Sequence, residues 1–183
     1  EMAAHSDVDI LFLTPWKLTT WAESVIESML YLLWDLKLKV GHSSRTMADC
    51  LRLAGDDMTI RTSLLEMRYL AGDPDLFTTL HDRLRTELFS RTATAFIEAK
   101  LAERDERHRK QGGSQRYVVE PNVKEGKGGL RDLQSLYWMT KYVYDAESPA
   151  ELVARGTFTP AEFDTFTRAF GPAFLPASSR NHA

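Results

Sequence analysis

Two acids, Asp7 and Asp9, head a four-residue apolar run, Ile10-Leu11-Phe12-Leu13. A short run of this kind predicts a strand. Within residues 16–34, Trp21, Val25, Met29 and Leu33 recur at helical spacing, with Ile26 and Leu30 beside them. Thr19 or Thr20 caps that helix, and Glu23 sits in its first turn. Leu36-Lys37-Leu38-Lys39-Val40 alternates strictly, which predicts a half-buried strand ended by Gly41. The connection between the two strands is long enough for a crossover helix, while their relative direction stays open.

From Thr46 the pattern turns helical. Residues 46–54, 57–71, 74–89 and 90–110 all carry helical spacing, with Leu64, Leu65, Arg68 and Tyr69 as one set and Phe96, Ile97 and Leu101 as another. The mixed-sign run over residues 103–110 reads as a solvated helix end. Gly112-Gly113-Ser114 breaks it. Tyr117-Val118-Val119 then predicts a short strand, followed by Pro121, a glycine-rich loop and a helix from Leu130 to about Tyr144. Pro149 starts another helix, and Thr159-Pro160-Ala161-Glu162 has the form of a capped start with proline in the first turn. Residues 171–183 have no period and read as an irregular end.

Composition narrows the class. The chain has 183 residues, 43% hydrophobic and 27% charged, as in ordinary globular proteins. A net charge of −3 supplies no bulk attraction for nucleic acid. A single cysteine, Cys50, excludes an intramolecular disulfide and suits a reducing, cytoplasmic compartment. No apolar run approaches the roughly 20 residues that span a bilayer, so no membrane partner is expected. The chain opens on Glu1 rather than Met and reads as a piece of something longer.

Two features carry chemistry. In a strand, residues i and i+2 share a face, so Asp7 and Asp9 are expected to project together. Two close carboxylates repel, and a divalent cation with hard oxygen ligands relieves them, which points to Mg2+ or Mn2+. The second feature is Glu120-Pro121-Asn122-Val123-Lys124-Glu125-Gly126-Lys127-Gly128-Gly129-Leu130-Arg131-Asp132. Its glycines allow close approach to backbone amides, a helix starts there, and Lys124, Lys127 and Arg131 add positive charge. A phosphate cradle is one reading, and a glycine turn packing a strand end on a helix is the other. It is neither a Walker A loop nor a dinucleotide fingerprint.

Four stretches together resemble one family, that of the bacterial PII uridylyltransferase/uridylyl-removing enzymes. They are residues 1–11, with Ser6-Asp7-Val8-Asp9; Gly41-His42-Ser43-Ser44-Arg45-Thr46; residues 57–68; and the block from Glu120 through Leu133. The resemblance covers about residues 1 to 169. It implies an α+β fold: half of a DNA-polymerase-β-like nucleotidyltransferase, a small mixed sheet with helices, followed by a mostly helical domain. The boundaries it implies are 1–72 for a nucleotidyltransferase domain lacking its N-terminal part, 73–170 for a helical associated domain, and 171–183 for the tail. It also implies metal-dependent transfer of UMP from UTP to a tyrosine of the PII nitrogen-signalling protein. In that scheme Asp7 and Asp9 are catalytic and hold Mg2+ or Mn2+, and Ser6, Arg45, Lys124, Lys127 and Arg131 bind nucleotide. Arg45 is expected just after the second strand, and a third carboxylate is open among Asp35, Asp57 and Glu66. The family's Gly-Gly pair would precede Glu1, so the piece alone is expected to be weakly active or inactive. The alternative is a non-catalytic nucleotide- or partner-binding module of the same fold.

Overall fold

The computed structural model describes residues 7–112, 124–145, 149–154, 156 and 159–170. They are mostly helical, with one small sheet. The chain divides into two compact units, residues 2–88 and residues 89 onward.

In the first unit, β1 (Val8–Thr14) leads through α1 (Thr20–Asp35) to β2 (Val40–Thr46). The two strands pair in parallel, Val8 against Val40 through Thr14 against Thr46. α1 is thus the crossover that parallel pairing requires. Thr19 is its N-cap, its side chain accepting from the Ala22 amide at 3.3 Å. The second strand lies later than the alternation of residues 36–40 predicts. Those residues form the stop of α1 instead. Lys37 takes the left-handed conformation, at φ 61°, and donates to Trp34 O at 2.8 Å, while Leu38 donates to Leu33 O at 3.2 Å. This is a Schellman stop, built around a lysine where glycine is usual. The alternating apolar residues satisfy a helix end, and pairing begins only at Val40.

α1 buries Leu30 fully but leaves Trp21 76% and Met29 47% exposed, so the stripe predicted from Trp21 to Leu33 is not its buried face. α2 (Met47–Asp56) begins with a full capping box between Thr46 and Asp49. α3 (Met58–Leu65) is capped by Asp57, whose carboxylate accepts from Thr59 and Ile60. Arg61 is buried and donates to the carbonyls of Ala54 and Gly55 at 2.6 and 2.7 Å, closing the C-terminal end of α2. α3 stops at Leu65, short of the helix predicted to residue 71. The chain must turn before Asp73-Pro74, and it does so through Gly72 at φ 111°, with the Tyr69 hydroxyl on the Gly72 carbonyl at 2.6 Å. α4 (Pro74–Arg83) starts there, capped by Asp73. A π-helical turn, Leu84–Phe89, follows.

In the second unit, α5 (Ser90–Gly112) kinks at Thr92, and α6 (Leu130–Tyr144), α7 (Pro149–Ala154) and α8 (Pro160–Phe170) complete the described helices. Thr159 caps α8 in the predicted box with Glu162. The core gathers on Tyr142 and Phe96, whose rings stack at 3.9 Å and 8°, with Phe89 at 4.6 Å from Tyr142. The Tyr142 hydroxyl and Thr92 Oγ1 share a hydrogen bond of 2.7 Å at the kink. Residues 117–119, predicted as a strand, and the 171–183 tail lie outside the described residues. No described helix is long and apolar enough to cross a membrane.

Candidate functional site

Asp9 lies on β1 and Asp7 one residue ahead of it, and both are exposed. The Val8 amide donates to Lys39 O at 2.8 Å, which helps fix the register that sets Asp9 against Gly41. Gly41 has a specific reason to be glycine. A Cβ placed there would collide with Asp9 Oδ1. The carboxylate therefore lies across the neighbouring strand, in space that any side chain would fill. Two exposed carboxylates two residues apart, one with its own cradle, suit a hard divalent cation. Among the described residues no group of three or more His, Cys, Asp and Glu gathers as a metal site.

The collision involves the tip of a side chain rather than backbone. Gly41→Ala is thus expected to keep the fold while turning Asp9 aside. Mn2+ affinity, followed by electron paramagnetic resonance, is expected to fall roughly 10- to 100-fold, as when a supporting partner of a metal ligand is lost. Unchanged affinity would mean that Asp9 has no metal role in that orientation.

Arg45 lies within β2, paired with Leu13, not after the strand. Register and alternation put Asp9, Gly41, Ser43 and Arg45 on one face of the sheet. Arg45's charge also bears on Cys50 and on Asp57. Asp57 is held low first by the amides of Ile60 and Thr59 and last by Arg45. Burial pushes the Cys50 thiol up to about 11, so it acts as a core residue. Ser6 lies outside the described residues.

In the second unit the glycine-rich loop is closed on itself. Gly129 donates to Gly126 O at 2.9 Å, Arg131 to Lys124 O at 3.0 Å, and Asp132 to Gly129 O at 3.0 Å. Gly128 takes φ 73°, which favours glycine, and its amide donates to the Asp132 carboxylate at 2.8 Å. These four amides are engaged inside the protein. The loop's outward chemistry is its cations: Lys124 and Lys127 are exposed, and Arg131 pairs with Glu125 at 3.3 Å.

Sequence reasoning missed the partners of Asp132. Arg107 and His108 belong to the run predicted to be solvated, yet both turn inward. Arg107 Nη2 donates to Asp132 Oδ1 at 2.6 Å, and His108 Nε2 lies 2.8 Å from Oδ2. Partial burial pushes the Asp132 carboxyl up, but the hydrogen bonds from Arg107, Gly128 and His108 outweigh it and hold the group below the usual range. An ionised carboxylate only accepts, so His108 must carry its proton on Nε2. The available signal was an acid three residues past the helix-starting Gly129, with a cation-rich helix to face it.

Known proteins match this chain strongly. The family model described as GlnD PII-uridylyltransferase matches residues 95–172, the stretch holding the loop and the Asp132 network. Relatives named bifunctional uridylyltransferase/uridylyl-removing enzyme include the following three. That of Ruegeria pomeroyi is 67% identical over 169 residues, 92% of this chain and 18% of the relative. That of Cereibacter sphaeroides is 66% identical over the same shares, and that of Rhodopseudomonas palustris 56% identical over 167 residues. The chain thus spans under a fifth of the length of the relatives it matches. No solved structure matches it. With nine-tenths of its residues aligned at such identity, the chain belongs to the PII-uridylyltransferase family.

Proposed function

We propose that this chain carries nucleotidyltransferase machinery of DNA-polymerase-β-like type, acting in the transfer of UMP from UTP to a tyrosine hydroxyl of a PII protein. The phenolic oxygen bonds to the α-phosphorus, the bond to the bridging oxygen breaks, and pyrophosphate leaves with its electron pair. The phenolic proton passes to water. Asp7 and Asp9 are the residues to hold Mg2+ or Mn2+. Such an ion neutralises triphosphate charge and lowers the pKa of an attacking hydroxyl. The rest is positioning and charge, which dominates phosphoryl-type transfer. Lys124, Lys127 and Arg131 are the nucleotide-binding residues of the second unit, and Ser6 and Arg45 are further nucleotide contacts.

One observation carries the reading: the Asp9 carboxylate lies over a strand position where only glycine leaves room for it. A solvated strand-end acid has no need of such a cradle. The direct test is Mn2+ titration of the chain and of the double variant Asp7→Asn/Asp9→Asn, read by electron paramagnetic resonance. The double variant is expected to bind more than about tenfold more weakly. Equal binding would remove the metal site and leave a nucleotide- or partner-binding module.

A further inference from the structure

Arg107, His108 and Asp132 form a nearly dry polar cluster, their side chains 12%, 19% and 14% exposed. It joins α5 to the start of α6 and, through Oδ2 of Asp132, to the Gly128 amide. Glu125 extends it, 3.9 Å from Arg107 Nε and 3.3 Å from Arg131. Arg107 Nε itself is buried without a hydrogen bond. So much partly buried charge is costly in a helical domain, and removing one partner leaves the others poorly matched. A surface turn needs none of it.

The cluster also changes how the loop meets an anion. A carboxylate of the protein already sits on the Gly128 amide, and the amides of Gly129, Arg131 and Asp132 are bonded to loop carbonyls. A phosphate arriving here meets side-chain cations rather than these amides.

We propose that Asp132 is the positioning residue of the glycine-rich loop, with Arg107 and His108 acting through it. The clamp holds the backbone over residues 124–131 in the shape that presents Lys127 and Arg131 to the phosphates of a nucleoside triphosphate. This inference rests on the reading above that the loop's cations bind nucleotide. Asp132→Asn breaks the clamp because an amide must turn one donor toward Arg107, His108 or Gly128. His108→Leu removes a donor, whereas His108→Gln keeps one at similar reach.

The experiment measures UTP affinity of the chain by calorimetry and the Gly128 amide signal by nitrogen-15 NMR. Near-ultraviolet circular dichroism of the Tyr142 core checks the fold. Asp132→Asn and His108→Leu are expected to shift the Gly128 amide and weaken UTP about tenfold, the loss of one charge-assisted hydrogen bond. His108→Gln is expected to restore affinity to within about threefold. If Lys127→Ala and Arg131→Ala weaken UTP while Asp132→Asn and His108→Leu do not, positioning is overturned and the nucleotide reading stands. If UTP does not bind, or no variant alters its binding, the nucleotide reading of the loop fails and the positioning role fails with it.

Discussion

Transfer of UMP to a PII protein, the activity proposed above, is expected to fall about a thousandfold when Asp9 is changed to Asn in this sequence grafted in place of the matching stretch of the full-length Ruegeria pomeroyi relative. A metal that neutralises the triphosphate supplies several kcal/mol of transition-state stabilisation, and about 4 kcal/mol corresponds to a thousandfold in rate. Asn keeps the size and one oxygen of Asp but loses the charge proposed to hold the ion. The backbone pairing of Asp9 with Gly41 is untouched by the change, so the fold is expected to survive. Asp7 is expected to behave alike. The assay follows label from α-labelled UTP onto PII, with saturating Mg2+ to separate weak metal binding from lost chemistry. Activity within tenfold of wild type would show that the acids do not hold the catalytic ion.

Local chemistry made much of this fold legible. Thr19, Thr46 and Thr159 start helices where a hydroxyl precedes a helical run, and Asp73-Pro74 starts another. The apolar run after Asp9 is short, as a buried strand is, and its pairing with β2 makes it one. Errors came where one pattern served two purposes. Leu36-Lys37-Leu38 alternates as a strand does, but local backbone hydrogen bonds to Trp34 and Leu33 use those residues to end α1. Helical spacing runs past Leu65, yet the chain has to turn toward Pro74. Arg107 and His108 look solvated because their partner, Asp132, is remote in sequence, and periodicity carries no information about remote ion pairs. The acids at 7 and 9 were visible from spacing. The reason for Gly41 was not, because it needed the register of β2.

The largest loss of stability is expected from the aromatic centre of the second unit. Tyr142→Ala is expected to cost about 3–5 kcal/mol, the range for emptying a large buried aromatic site. Tyr142 is 1% exposed and Phe96 fully buried, and they stack over one another, so removing the Tyr142 ring leaves the Phe96 face against a cavity. Domains of this kind are stable by only about 5–15 kcal/mol, so the variant stands near the edge of folding. Tyr142→Phe keeps the stack and loses the bond to Thr92, leaving a hydroxyl at the kink with less to hold it; about 1 kcal/mol is expected. Urea unfolding followed by near-ultraviolet circular dichroism measures both. Equal midpoints for Tyr142→Ala and wild type would place the core of this unit elsewhere.

Parallel pairing has a consequence for when the acid site comes into being. A hairpin joins its strands through a turn of a few residues and closes early. Asp9 reaches Gly41 only after α1 has formed, stopped at Lys37 and brought the chain back alongside β1. Non-local pairings of this sort pay their loop-closure entropy before any contact repays it, and they come late in folding. The cradle for the carboxylate is therefore expected to be a late product of assembly. Any state in which β1 and β2 have separated keeps Asp9 in the sequence but takes away the Gly41 position over which its carboxylate lies.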